Sequence, residues 1–213
     1  FTRAQTDGVR AALGHSDELV VDWAMRYGQP ALGDNPNEPK AQGFAPLCVF
    51  PSYPAYPAAT TPTALDTAYE QLMTMRWTPA IRTVPPYYDH PDYIKAVAGS
   101  LKAFIKQLSW KPDKILIAFH GLPREYLNKG DPYHCHCQKS ARLIRKALCL
   151  SEGGAPIVFQ SRFGKAEWLK PYAQETVEGL PAAGVKNLLM ISPGFSSDCV
   201  ETLEELAIGL KET

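Results

Sequence analysis

Residues 114–138 read KILIAFHGLPREYLNKGDPYHCHCQ, and the opening of this stretch decides the fold. Residues 115–119 form a near-continuous apolar run, with the length and β-branched content of a strand buried on both faces. The run stops at His120-Gly121, turns through Leu122-Pro123, and meets a second turn signal at Gly130-Asp131-Pro132. Open α/β sheets bind ligands outside the carboxyl ends of their strands. His120 occupies such an end and is the first candidate for chemistry. The alternative is a strand-terminal histidine bonded to backbone.

Working outward, strand and helix signals alternate. Residues 2–13 predict a short helix, followed by a polar turn at 14–17. Residues 19–25 and 46–50 predict strands, and the prolines and asparagines of GDNPNEPKAQG (33–43) exclude a good helix interior. Residues 51–63 predict an ordered loop and 63–75 a helix with Leu65, Tyr69, Leu72 and Met73 on one stripe. Residues 91–108 predict an amphipathic helix opened by Pro91, with Ile94, Val97, Leu101, Phe104, Ile105 and Leu108 on its apolar face. Beyond the opening strand come a helix over 139–148, a strand over 156–159, a weaker helix over 171–183, a strand over 186–191 and a helix over 199–210. This order predicts an α/β fold with mostly parallel strands. Prolines and a composition shift at 84–88 mark a boundary between domains at 1–84 and 85–213.

Composition narrows the class. The 213 residues are 45% hydrophobic, with 22 basic and 22 acidic side chains. Zero formal charge and a pI of about 7.1 give no electrostatic case for nucleic acid. No apolar run approaches the roughly 20 residues of a membrane span, and FTRAQTDGVR is no signal peptide. A soluble, cytoplasmic protein is expected. Five irregularly spaced cysteines do not make a secreted disulfide framework.

Three strand ends carry polar or aromatic groups: His120, residues 160–163 and residues 192–198. In a parallel sheet they lie on one edge and should converge. Glu201 follows Asp198 at capping-box spacing, so it reads either as a cap partner or as an acid facing His120. His134-Cys135-His136-Cys137 has the composition of a metal cluster. Alternating ligands cannot all reach one tetrahedral ion, however, and no second pair is present. A surface turn opening a helix is the expectation there. Arg26 and Tyr27 suit an acidic ligand or a surface ion pair. Tyr53, Tyr56, Phe163 and Trp168 suit a flat aromatic site or plain packing. No glycine-rich phosphate loop and no Gly-x-Ser-x-Gly elbow occur.

Several ordered motifs carry a resemblance. Phe119-His120-Gly121-Leu122-Pro123 and Gly130-Asp131-Pro132-Tyr133 resemble the signature of ferrochelatases, as do Gln160-Ser161-Arg162-Phe163-Gly164 and Trp168-Leu169-x-Pro171-Tyr172. The run from Ser192 to Glu205 matches too, as do Met25-Arg26-Tyr27-Gly28, Tyr53-Pro54-x-Tyr56 and Thr60-Thr61, closest to the Gram-negative bacterial branch. The resemblance covers nearly the whole chain. It implies two Rossmann-like domains of the class II chelatase kind and insertion of Fe²⁺ into protoporphyrin IX.

Position by position, His120 takes the place of the family's active-site histidine and Glu201 that of the glutamate across the cleft. Both become catalytic and metal-handling candidates. Arg26, Tyr27, Tyr53, Ser161, Trp168 and Asp198 become substrate-binding candidates. The imidazole of His120 can accept pyrrole protons or ligate iron, and the resemblance leaves both open. No cofactor is implied, since Fe²⁺ is a substrate. Ala58 stands where animal-type members carry a [2Fe-2S] cysteine, so that cluster is not expected. The family's first strand and loop and its returning C-terminal segment have no counterpart, so the first domain is expected to be incomplete. Residues 33–43 fall where the family has a regular helix, and Cys199 where some members carry a second histidine. A hydrophobic substrate is compatible with peripheral membrane contact, although no amphipathic anchor is evident. Two other readings are a porphyrin- or haem-binding protein without turnover and a sirohydrochlorin-type class II chelatase. The latter fits the fold but not the motifs at 130–133 and 192–205.

Overall fold

The computed structural model describes residues 1–14, 19–32, 46–76 and 78–213. Residues 15–17 of the polar turn and the segment 33–43 lie outside them. The described chain is α/β with parallel sheets and divides into two compact units. One comprises residues 1–52 and 58–85, the other residues 53–57 and 86–213.

The first unit holds helix α1 (Thr2–Leu13), strand β1 (Leu47–Val49), helix α2 (Thr61–Thr74) and strand β2 (Ile81–Thr83). β1 and β2 pair in parallel, with Cys48 opposite Arg82, so α2 is the crossover of a βαβ unit. Residues 19–25, expected as a strand, make only an isolated bridge from Met25 to Ala31. The physical reason is lack of cover: Leu19 and Val20 are exposed, so among the described residues the apolar run has no layer to enter. β2 is the converse, a three-residue strand between prolines, too short to show a period. α2 buries Thr61, Ala68 and Leu72, whereas Tyr69 and Met73 of the expected stripe face solvent.

The second unit is built on strand β3 (Lys114–His120), flanked by β4 (Ile157–Gln160) and β5 (Leu188–Ile191) in the order β4-β3-β5, all parallel. β3 buries five consecutive residues because both faces are covered. Side chains alternate along a strand. Ile115, Ile117 and Phe119 therefore enter one layer, with α3 (Pro91–Gln107) and α5 (Tyr133–Leu148). Leu116 and Ala118 enter the other, with α6 (Ala173–Gly179) and a π-helix (Glu201–Gly209). Each fully buried Leu, Ile or Phe contributes roughly 1.5–3 kcal/mol of transfer free energy. Phe104 of α3 is exposed and lies outside the apolar face expected for it.

α5 begins six residues before its expected start. The Asp131 carboxylate accepts the Tyr133 amide at 2.9 Å, which satisfies one of the orphan donors of a helix start. Residues 134–137 thus do open a helix, as its first turn rather than as a turn ahead of it, and Cys137 is fully buried. Tyr133, Cys137, Ala141 and Ile144 form its apolar stripe. A short helix α4 (Arg124–Asn128) precedes it, and a 3-10 turn (Pro181–Ala183) follows α6. Among the described residues, no helix is long and apolar enough to cross a membrane.

Candidate active site

β3 places its last residue, His120, opposite Gln160, the last residue of β4. The following glycine is required by space. A Cβ on Gly121 would sit 2.7 Å from the Gln160 carbonyl oxygen and 3.0 Å from a ring carbon of Trp168. Neither neighbour can yield, since one is backbone and the other is a buried ring. Gly121 N–H also donates to that carbonyl at 2.8 Å, so the strand ends are locked together at the point where His120 emerges.

Two further contacts orient the histidine. The Tyr133 hydroxyl, at the start of α5, donates to the His120 carbonyl at 2.9 Å. The His120 ring Nδ1 lies 2.6 Å from the Gly121 carbonyl. A carbonyl only accepts, so Nδ1 carries the proton, and Nε2 holds the basic lone pair of the neutral ring. Trp168 and Phe195 flank the imidazole with ring centroids at 6.4 and 6.5 Å.

The opposite wall comes from the segment after β5. Residues 201–209 form a π-helix in place of the expected α-helix, a geometry that recurs at functional sites. The capping box expected between Asp198 and Glu201 does not form. Thr202 Oγ1 donates to Asp198 Oδ1 at 3.0 Å and accepts the Cys199 amide, which leaves the Glu201 carboxylate free of that duty. Gln160 instead anchors this turn: its Nε2 donates to the Glu201 carbonyl at 3.1 Å. One buried glutamine thus ties the backbone beside His120 to that of Glu201.

Burial pushes the Glu201 carboxyl up, but the Cys199 thiol, a backbone amide and the nearby His120 outweigh it, and the net direction is down. Glu201 is therefore a carboxylate at neutral pH. In turn Cys199 is pushed up, first by burial and then by that same hydrogen bond. Glu205 also points inward, accepting from the Ser161 hydroxyl at 2.5 Å, while Glu204 faces solvent. Ser161 adopts a left-handed φ of 63°, which a non-glycine residue holds only where its surroundings impose it. Gln160 Oε1, Trp168 Nε1 and Ser192 Oγ are buried without a hydrogen-bond partner among the described residues.

His120, Ser161 and Glu201 are thus brought to one edge of the second unit. Trp168 is there too, but only 3% exposed, so it forms the floor under Gly121. Phe163 stacks edge-on against it at 4.8 Å and is largely exposed. Asp198 is exposed, and Tyr53 belongs to the second unit through residues 53–57. Arg26 and Tyr27 lie in the first unit. The Arg26 guanidinium sits 4.6 Å over the Tyr27 ring and donates from Nε to the Thr63 carbonyl at 2.9 Å. Among the described residues, no group of three or more His, Cys, Asp or Glu is placed to hold a metal ion. Gln160 and Tyr133, present in the sequence only as parts of the strand end at 160–163 and of a motif, are the site residues to which the sequence assigned no role of their own. The signal for Gln160 was a polar residue closing an otherwise apolar strand.

A sequence model of the ferrochelatase family matches residues 1–213. The chain belongs to the ferrochelatase family. It is 52% identical over 97% of its length to a ferrochelatase of Agrobacterium fabrum and 50% identical over 97% to one of Rhizobium meliloti. It is 45% identical over its full length to a ferrochelatase of Mesorhizobium japonicum. The chain spans about 60% of the length of these curated relatives. As a ferrochelatase-family chain it has the class II chelatase-like fold, which accounts for the parallel β4-β3-β5 sheet and for motifs concentrated at its carboxyl edge.

Proposed function

We propose that this chain carries the metal-inserting residues of a ferrochelatase, which places Fe²⁺ in protoporphyrin IX as a substrate and uses no resident cofactor. The observation that carries the reading is the Gln160 bridge: it holds Glu201 to the strand edge from which His120 emerges. Metallation releases two pyrrole protons as the divalent ion takes the four ring nitrogens. His120, with Nδ1 engaged by the Gly121 carbonyl, offers Nε2 to the first of them. The Glu201 carboxylate stabilises the imidazolium that forms and passes protons or incoming metal along the side of the π-helix that carries Glu205. Ser161 fixes Glu205, and the Phe163–Trp168 pair offers apolar surface to a flat macrocycle. Arg26 and Tyr27 in the first unit, and Tyr53 and Asp198 in the second, are taken as porphyrin-binding residues on the resemblance, each unit considered by itself. On this reading the two compact units correspond to two Rossmann-like domains, the first of them partial.

The experiment is metal insertion followed by porphyrin fluorescence, with Fe²⁺ or Zn²⁺, for the intact protein and His120→Ala. A lost general base lowers turnover by about 10²–10⁴-fold, and an unchanged rate in the variant refutes the role given to His120. The chain's 60% coverage of its relatives supports a second reading, porphyrin binding without turnover. An absorbance titration that shows binding with no metallation selects that reading. Absence of both overturns the two together.

A further inference from the structure

His136 has no part in the reaction just described, yet it touches the one piece of the first 85 residues that belongs to the second unit. That piece, residues 53–57, reads YPAYP. Its prolines supply no N–H, so few main-chain donors can fasten it. Pro54 and Ala55 are buried, Ala55 in the layer that contains Tyr133 and Cys137. Main-chain bonds hold the piece there: Tyr87 N–H donates to the Pro54 carbonyl at 2.9 Å, and Tyr56 N–H donates to His136 Nδ1 at 3.2 Å. The His136 ring is itself fixed, stacked on Tyr88 at 3.8 Å between centroids and 12° between planes.

We infer that His136 is a positioning residue, whose unprotonated Nδ1 pins the Tyr56 amide and so orders the loop that presents Tyr53. Protonation of Nδ1 replaces the acceptor by a donor facing another donor, and the pin is lost. The groups facing the ring are Asp89 from the turn before α3, Asp131 from the turn before α5, and Lys139 from α5, which pairs with Asp89 at 2.5 Å. Burial is the largest influence and pushes His136 down, and Lys139 adds to it, against the opposite pull of Asp89 and Asp131. The folded value therefore lies below the ordinary histidine value. The pin is complete above the ordinary value and is lost as pH falls through the depressed one.

Hydrogen exchange of the Tyr56 amide, corrected for intrinsic rate, tests this in the intact protein alongside the titration of the His136 ring carbons. Loss of one such bond is expected to lower protection about tenfold, with a midpoint equal to that of the ring. Protection that stays constant while the ring titrates, or has a different midpoint, overturns the inference without any variant. His136→Asn keeps an acceptor near Nδ1 and does not titrate, so its protection should persist at low pH. His136→Phe keeps the stack alone and should show the lowered protection at every pH; wild-type protection there overturns the inference too. The link to catalysis rests on the reading above. It predicts a several-fold higher porphyrin KM with little change in kcat for His136→Phe, restored in His136→Asn. A protein inactive in every form but with the expected exchange pattern refutes the chelatase reading and leaves the pin standing.

Discussion

The two parallel sheets hold their polar candidates in different ways. β3 buries five successive residues and delivers His120 at a point fixed by Gly121, Gln160 and Tyr133. β1 and β2 are three residues each and bury none fully. Arg26 follows a single bridge residue and hangs exposed, held by a bond to a backbone carbonyl and by its own tyrosine. Chemistry needs a reacting atom held to a fraction of an ångström, whereas attraction to a charged substituent tolerates slack. On the proposed chelatase reading, that difference suits reacting groups in the second unit and ligand attraction in the first.

The comparison breaks most visibly in stability. Leu116→Ala empties a fully buried site in the middle of β3 and should cost about 2–5 kcal/mol. Val49→Ala in β1 removes a half-buried group and should cost about 1 kcal/mol or less. Urea unfolding of both variants checks this, and equal losses would show that the two sheets contribute equally to the fold.

Gly121→Ala should come next. Its methyl would meet backbone and a buried indole, so overpacking costs about 1–3 kcal/mol and displaces the end of β3. On the chelatase reading, metal insertion should fall at least about tenfold even where the variant stays folded, because a sub-ångström shift of a general base at His120 is enough to spoil its geometry. A folded Gly121→Ala protein with native turnover would mean that the strand end is not what positions the histidine.

How far this contrast is legible in sequence follows from what made each element. β3 could be read because burial on both faces writes itself as an unbroken apolar run, and His120 because the run ends on it. Residues 19–25 look similar, yet among the described residues tertiary context gives them no layer to enter, which no local pattern reveals. The early start of α5 was hidden because His134, His136 and Gln138 break up any apolar period there, while the Asp131 bond that starts the helix was written in Gly130-Asp131-Pro132. The π-helix was invisible. Glu201 and Glu205, or Leu206 and Leu210, are four apart, a spacing that serves α and π geometry alike. The roles of Gln160 and Thr202 depend on partners about forty and four residues away, fixed only once β4 and the last turn are placed.

A pH measurement sharpens the contrast within the second unit. The Glu201 carboxyl is held below its ordinary value, chiefly because its thiol, amide and His120 contacts overcome the upward push of burial. A depressed acid stabilises the fold above its unfolded value and loses that contribution as pH falls through the folded one. The stability difference between wild type and Glu201→Gln should accordingly be constant near neutrality and shrink on acidification below the ordinary carboxylate range. A difference independent of pH would mean that Glu201 does not interact with its neighbours as a carboxylate.

The smallest effect is expected where the scaffold is weakest. Arg26→Ala removes an exposed cation, a bond to the Thr63 carbonyl and a contact with the Tyr27 ring, so stability should move by no more than about 0.5 kcal/mol. If Arg26 only attracts a porphyrin carboxylate, the porphyrin KM should rise several-fold while kcat stays put, the pattern of a contact equally strong in ground and transition states. Added salt should narrow the gap between variant and wild type, because an exposed charge acts through a screened field. A large fall in kcat at unchanged KM would give Arg26 a part in the transition state. The exposed first-unit loop would then share the chemistry with the buried end of β3.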